Sequence, residues 1–404
     1  MNIFKDKTIT DVSGILAAGI SCGIKKDEKK DLCVIYSKYK AISAAVFTTN
    51  KMKAAPLIIT MENIKNNNTQ AVVINSGNAN SCTGEDGLEN ARNMINTTAN
   101  CLHLSPQEVL VASTGALAVQ LPMDLLIPGI QKACSALSDN AGFDAAEAIL
   151  STDTCIKTIA VDFELKGKKV TMAGMVKGST MIHPNMGTML AIITTDAKIS
   201  KYLLNKALKE SISTSFNMIS VDGDTSTNDM VIVLANGASG HDIIDSEDAD
   251  YNTFFTALSF VNAELAKMII KDGEGSTKFI EVYIENAKTQ SDARIAARSV
   301  VSSNLIKCEM FGSVMVWSTI ACVLGYSGID INPKDFDIYI GNDNYETRIV
   351  KNSSEIKYDK ASVKAILSGD FIKMRINLKN GENCATAWGC DLTYDYVKLN
   401  GYFT

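Results

Sequence analysis

The sequence predicts a layered α/β or α+β fold, and three observations point there. Short apolar runs such as Ala71-Val72-Val73-Ile74-Asn75 and Val109-Leu110-Val111-Ala112-Ser113 have the length and composition of buried strands. Longer segments, among them 85–102 and 250–271, repeat apolar residues at helical spacing. The two kinds alternate imperfectly, which fits layers packed on one another better than a doubly wound parallel sheet.

Taken in order, residues 1–50 mix glycine turns with strand-like runs at 32–36 and 42–47. The run 71–75 is a buried-strand candidate ending in a loop of small residues. Helices are predicted over 85–102 and 123–137, with a strand at 109–113 that delivers Thr114 and Gly115 to its end. Residues 157–175 alternate about a Gly167-Lys168 turn and read as a hairpin. After Thr188 the pattern gives a strand, a helix over 201–213, a strand over 230–234 and a helix over 250–271. A strand at 279–284 and a helix at 291–303 follow, and the last part of the chain reads as short strands and turns. No repeat or low-complexity tract interrupts the sequence.

The chain of 404 residues is long enough for two or three core-forming units. Hydrophobic residues make up 46% and charged residues 21%, the profile of an ordinary globular protein. A net charge of −6 argues against a general binder of nucleic acid or anionic membrane. No apolar run reaches the roughly 18–20 residues that span a bilayer, and Met1 to Lys7 lack the plan of a secretion signal. Ten cysteines without paired CxxC spacing, and three histidines, give no zinc signature. Cys33, Cys82, Cys134 and Cys322 read as reduced core residues of a cytoplasmic protein.

The segment richest in chemistry is Lys177-Gly178-Ser179-Thr180-Met181-Ile182-His183-Pro184-Asn185-Met186-Gly187-Thr188-Met189-Leu190. Its polar, turn-forming residues stop at Gly187-Thr188, and an apolar run follows. A threonine hydroxyl is a weak nucleophile until a base takes its proton, and an N-terminal amine on the same residue is such a base. That amine titrates at about 7.7–8, so much of it is neutral at physiological pH. Self-cleavage between Gly187 and Thr188 would free it: the hydroxyl attacks the Gly187 carbonyl, the acyl group shifts to oxygen, and water removes it. Glycine tolerates the strained backbone this requires, and Pro184 stiffens the approach. The same pattern also describes a loop entering a buried strand, with Thr188 an ordinary first residue.

This segment resembles the cleavage signature of the ornithine acetyltransferase family, also known as glutamate N-acetyltransferases. Other strings resemble family blocks in the same order. They are Ala44-Ala45-Val46-Phe47-Thr48-Thr49-Asn50 with Ala54-Ala55-Pro56, then Asn75-Ser76-Gly77-Asn78-Ala79-Asn80-Ser81-Cys82-Thr83-Gly84, and Ser113-Thr114-Gly115. Later come Ser220-Val221-Asp222-Gly223-Asp224-Thr225-Ser226-Thr227-Asn228-Asp229 and Lys271-Asp272-Gly273-Glu274-Gly275. The likeness covers nearly the whole chain. It implies an α-β-β-α sandwich core built from both cleavage fragments, 1–187 and 188–404, with a smaller C-terminal α/β domain over approximately 280–404.

The resemblance further implies self-cleavage before Thr188. Acetyl would then pass from N2-acetyl-L-ornithine to L-glutamate through an acetyl-threonine, in arginine biosynthesis. It implies an α2β2 assembly of cleaved fragments, amino-acid substrates, and neither nucleic-acid nor membrane partners. No cofactor or metal is implied, because the acyl group travels on the threonine; acetyl-coenzyme A is at most an additional donor. Thr114 and Gly115 match the family's oxyanion pair. Lys177 matches a substrate-contacting lysine, Thr154 a substrate-binding threonine, and Glu274 a carboxylate suited to an ammonium group. The small neighbours Gly273 and Gly275 suggest close approach of a ligand. Asn400 and Thr404 resemble a substrate-contacting pair, four apart here and five apart in the family. Asp153, beside Thr154, reads as structural.

One stretch departs from the family pattern. Val314, Met315 and Val316 stand where the family has Asp-Pro-Asn, and Thr319 stands where it has Arg. An acid and a guanidinium are missing together, as if one ion pair had been lost. Thr180, His183, Gly187 and Ala118 are smaller departures, and His183 reads as a surface loop residue or a general base. These changes keep a divergent acyltransferase with another amino-acid-like substrate open. An N-terminal-threonine amidase or aminopeptidase is open too, as is an uncleaved amino-acid-binding protein.

Overall fold

The computed structural model describes residues 1–183 and 189–401. The expectations placed on Gly187, Thr188 and Thr404 therefore lie outside the described residues. In chain order the strands are β1 (Asn2–Phe4), β2 (Ile15–Ile20), β3 (Leu32–Phe47), β4 (Thr69–Asn75), β5 (Val109–Ser113), β6 (Lys157–Leu165), β7 (Lys168–Lys177) and β8 (Leu190–Thr195). They continue with β9 (Ile219–Ser220), β10 (Met230–Ala235), β11 (Phe279–Ala287), β12 (Asp337–Gly341), β13 (Glu346–Lys351), β14 (Ser354–Glu355), β15 (Phe371–Asn377) and β16 (Asn383–Cys390). The helices are α1 (Ala55–Asn63), α2 (Gly84–Leu102), α3 (Met123–Ser135), α4 (Gly142–Ala148), α5 (Lys201–Ser213) and α6 (Ala249–Lys271). After them come α7 (Gln290–Ser302), α8 (Asn304–Phe311), α9 (Trp317–Tyr326), α10 (Lys360–Leu367) and α11 (Tyr394–Gly401).

These elements form two compact units. The first comprises Met1–Gly178, Asn185–Ser213 and Thr225–Leu265; the second comprises Ser179–Pro184, Thr214–Asp224 and Ala266–Thr404. In the first, nine strands pair in the order β1-β6-β7-β8-β10-β3-β4-β5, with β2 also on β3. The sequence shows β3 as two runs, 32–36 and 42–47, but they are one strand of 16 residues. Its second half pairs with β10, its first half with β2 and β4, and its register on β4 shifts between Tyr36 and Ala41.

Period-two alternation then sorts the side chains into layers. Cys33, Ile35, Val72, Ile74, Leu110 and Ala112 share one core with Ala160, Ala173, Met175, Ile192 and Ile232 from the other strands. Their sequence neighbours Leu32, Val34, Ala71, Val73, Val109 and Val111 turn the other way, onto Met94, Ile95 and Ala99 of α2 and Leu126 and Ile130 of α3. Beyond the other strands lies α6, over Gly174 of β7, where an added Cβ would come within 2.7 Å of Leu265 and 3.1 Å of Val261. The result is the α-β-β-α sandwich.

The second unit is built on a seven-stranded sheet, β14-β13-β12-β15-β11-β16-β9. Helix α7 buries Ala293, Ala296, Ala297, Val300 and Val301, and Val301 touches the sheet at Gly389 of β16. The end of the chain is less purely strands and turns than its sequence reads, because α10 and α11 lie within it.

Two composition-based expectations need correction. Helix α6 is long and apolar enough to cross a bilayer, although half of its most apolar window is buried; the apolar residues serve the sandwich core. Cys33 is buried as expected, but Cys82 and Cys322 are exposed and Cys134 is half-buried. Small residues around a cysteine in sequence do not determine how its side chain packs.

Helix α4 rests on β2 through small residues. A Cβ on Gly19 would lie 1.9 Å from the Asp144 carbonyl oxygen, a main-chain atom that cannot swing aside. Gly19→Ala is therefore expected to lower unfolding free energy by about 2 kcal/mol or more, as overpacking does. Denaturant titration of the purified variant checks this, and an unchanged midpoint would contradict the packing of α4 on β2.

Candidate active site

The exit of β5 is a turn with its donors sorted. Thr114 N–H donates to Asn75 O (3.0 Å) and Ala116 N–H to Gly77 O (3.3 Å). The Thr114 hydroxyl and the intervening Gly115 N–H are the donors these bonds leave over. Gly115 has φ +130°, and a Cβ there would lie 2.3 Å from the Gly77 carbonyl carbon, so no side chain fits.

Asparagines fix this turn from beneath. Ser113 Oγ donates to Asn75 Oδ1 (2.6 Å), and Asn75 Nδ2 donates to Asn78 O (2.8 Å). Asn228 Nδ2 bridges Ala79 O (2.6 Å) and Ser113 O (2.9 Å). Asn75 and Asn228 are both buried. Their strings were visible in the sequence, yet nothing there assigned them a role: a clamp between residues 79, 113 and 228 is a long-range contact.

Lys177 stands in the same unit. It ends β7 opposite Leu190 of β8, and Leu190 lies opposite Met230 of β10. Met230 N–H donates to Met189 O (2.9 Å), and Thr48 N–H donates to Asp229 O (3.0 Å). The described chain thus resumes at Met189 with Lys177 on one side and Asp229 on the other.

Two carboxyl groups near Lys177 are shifted in opposite directions. Burial would raise the Asp153 pKa, but Lys177 and Lys157 beside it, with the Lys157 hydrogen bond, bring it down to about 2. Its Oδ1 accepts from Lys157 Nζ (2.7 Å) and Gly178 N–H (2.7 Å), and its Oδ2 from Ser151 N–H (3.0 Å). That is the structural role its sequence suggested. Asp229 is the reverse case: burial drives its pKa well up, and the Lys177 charge only partly opposes this. Its Oδ2 is buried with no hydrogen-bond partner. Thr154 follows Asp153 and is exposed.

Glu274 and Asn400 meet in the second unit. Asn400 Nδ2 donates to Glu274 Oε2 (2.7 Å), and Glu274, itself buried, donates its N–H to Ser179 O (3.0 Å). The glycine beside it does something other than admit a ligand. Gly275 has φ +66°, and a Cβ would lie 2.5 Å from Tyr396 N, so its smallness makes room for the main chain of α11. Helix α11 is tied down further by Thr393 Oγ1 donating to Gly275 O (2.6 Å) and by Tyr396 OH donating to Asp222 Oδ2 (3.3 Å).

His183 is not the surface residue expected of it. It is half-buried, Arg298 donates to its Nε2 (3.1 Å), and Ser220 Oγ lies 3.1 Å from its Nδ1. A guanidinium only donates, so Nε2 accepts and the ring proton sits on Nδ1. Burial, then the Arg298 charge, lowers its pKa against the pull of Asp222. With its lone pair engaged, His183 is poorly placed to act as a base.

The departure at 314–319 has a structural trace. Thr319 Oγ1 donates to Glu309 Oε1 (2.6 Å), while Glu309 Oε2 is buried without a partner. Burial raises the Glu309 pKa. Val314 and Val316 are exposed. The Thr319 hydroxyl thus answers one of the two Glu309 carboxyl oxygens.

Comparison with known proteins places these observations in a family. Residues 16–404 match the model of the ArgJ family. The arginine biosynthesis bifunctional protein ArgJ 1 of Clostridium acetobutylicum is 51% identical over 403 residues, covering 100% of this chain and 99% of the relative. The ArgJ protein of Caldanaerobacter subterraneus subsp. tengcongensis is 48% identical over 390 residues, 96% of each chain. A crystal structure of the ArgJ protein of Bacillus halodurans is 39% identical and superposes with a TM-score of 0.49, covering 52% of this chain and 97% of that one.

Because the folded-state pKa of Asp153 is lowered from 3.8 to about 2, its ionised form stabilises the fold fully above pH 3.8. That contribution is lost as the pH falls through 2. Asp153→Asn breaks the buried Asp153–Lys157 ion pair, and should cost about 3 kcal/mol at pH 7. Unfolding curves at pH 7 and pH 2.5 check both, since the gap between wild type and variant must narrow in acid.

Proposed function

The chain belongs to the ArgJ family and is an enzyme, and from that premise we propose that it moves an acetyl group from N2-acetyl-L-ornithine to L-glutamate through an acetyl ester on Thr188. The chain first cuts itself between Gly187 and Thr188, exposing the Thr188 amine. That amine takes the hydroxyl proton as the hydroxyl oxygen attacks the acetyl carbonyl. The oxyanion that forms is met by the Thr114 hydroxyl and the Gly115 N–H. Collapse expels the α-amine of ornithine, which leaves with the proton. The amine of glutamate then attacks the ester and regenerates the threonine.

The observation that carries this reading is the Thr114-Gly115 turn. Asn75 and Asn228 hold it rigid, and its two remaining donors are of the kind a developing oxyanion needs. A preorganised pair of donors loses little on reorganisation, which is what makes it effective in a transition state. Lys177 supplies positive charge for a substrate carboxylate, and Thr154 a hydroxyl contact. Glu274, oriented by Asn400, recognises an ammonium group, and Thr404 completes the proposed substrate contacts. Burial disfavours the charged form of Asp229, which limits how far it cancels the positive field of Lys177.

The fragments are proposed to remain together as an α2β2 assembly in the cytoplasm, with acetyl-coenzyme A as an additional donor. A divergent substrate is the second reading, and the half-answered Glu309 favours it. Comparing turnover of N2-acetylornithine with that of other N-acylamino acids separates the two.

Intact mass spectrometry of wild type should give fragments 1–187 and 188–404, and the second should gain one acetyl group after brief exposure to N2-acetylornithine. Thr188→Ala should remain one chain without transferase activity; wild-type turnover in that variant would place the nucleophile elsewhere. Glu274→Gln should raise KM for ornithine-type substrates by roughly tenfold or more, the scale of a lost charge-assisted hydrogen bond. A change confined to kcat in steady-state kinetics would refute its recognition role.

A further inference from the structure

Helix α7 of the second unit carries a polar ridge that the acetyl-transfer chemistry does not use. Gln290, Arg294, Arg298 and Ser302 recur every fourth residue and so form one row along the helix. The opposite face is the alanine and valine surface packed on the sheet. With His183 and Tyr326, the ridge lines a cavity of about 550 Å³.

The electrostatics of this cavity are one-sided. Two guanidinium groups, a glutamine and four serines line it, and no carboxylate does so among the described residues. Arg294 has no ion-pair partner among the described residues, and its Nε is buried without a hydrogen-bond acceptor. Burial also lowers the pKa of the Arg298 guanidinium, so this charge is partly stripped of water. His183, neutral and accepting from Arg298, adds no negative charge. A buried, unanswered guanidinium donor is costly unless an acceptor arrives.

We propose that this cavity binds a phosphate group, free or carried by a small molecule, with Arg294 as its principal contact. Arginine forks suit phosphate oxygens, and the row of hydroxyl and guanidinium donors exceeds what the two oxygens of a carboxylate engage. The cavity has room for a bearer as well as the phosphate, and the exposed Tyr326 offers that bearer an aromatic face. The inference is independent of the acetyl-transfer reading, since it uses other residues and another ligand.

Isothermal titration calorimetry of the full-length protein with inorganic phosphate, AMP and citrate tests it. Phosphate or AMP should bind saturably at one site per chain, and Arg294→Gln should weaken that binding by about tenfold or more. The tighter of the two identifies the source as free or carried phosphate. Arg294→Lys keeps the charge but not the fork and should fall between wild type and Arg294→Gln; it also serves if thermal melts show the glutamine variant misfolded. Absence of saturable binding by either phosphate probe, tighter binding of citrate than of both, or affinity untouched by both substitutions would overturn the proposal.

Discussion

Carboxylates that collect main-chain N–H groups are the constraint on which the loops of this protein depend. Asp31 accepts from the amides of Cys22, Gly23, Ile24 and Lys25. Asp153 holds Ser151 and Gly178, Asp222 holds Met181 and Ile182, and Asp391 holds Thr277 and Lys278. Each is a charge-assisted bond to a donor that no strand or helix satisfies, roughly twice as strong as its neutral counterpart. Two of the four act within a few residues of a proposed substrate contact, Lys177 or Glu274, and a third acts beside His183. Irregular backbone is usually the softest part of a fold; here aspartates give it definition.

The same residues explain where sequence reading succeeded and where it stopped. Strand β5 and helix α5 were legible to the residue, because a run of five residues, mostly apolar and all buried, and a clean helical period are local signals. The hairpin of β6 and β7 was legible because Gly167 sits at φ +72° where alternation reverses. The unity of β3 was not, since its middle, Lys38 to Lys40, is polar and exposed while partners on three other strands hold the two ends in line. The Asn228 clamp and the raised pKa of Asp229 were hidden for the same reason: both arise from contacts far apart in sequence. Gly275 shows a subtler failure, in which a glycine that suggests an open site is instead pressed against a helix.

Around Lys177 the protein sets two aspartates to different tasks by environment alone. Asp153 has two lysines and two main-chain donors, so it stays ionised and serves as an anchor. Asp229 is buried with one carboxyl oxygen unsatisfied, and burial disfavours its charged form. A lysine flanked by two ionised acids would be largely neutralised. One whose second acid is pushed by burial toward its neutral form keeps more attraction for an anion.

The order β7-β8-β10 has a consequence for any break in the chain ahead of Met189. Strand β8 is laced by main-chain bonds to β7, which precedes that point, and to β10, which follows it. Severing the covalent link would free neither piece, because the sheet grips both sides like the teeth of a closed zip. Parting the halves would require melting the centre of the sandwich, so a cut there would change the chemistry at a chain end and leave the first unit's sheet laced across it.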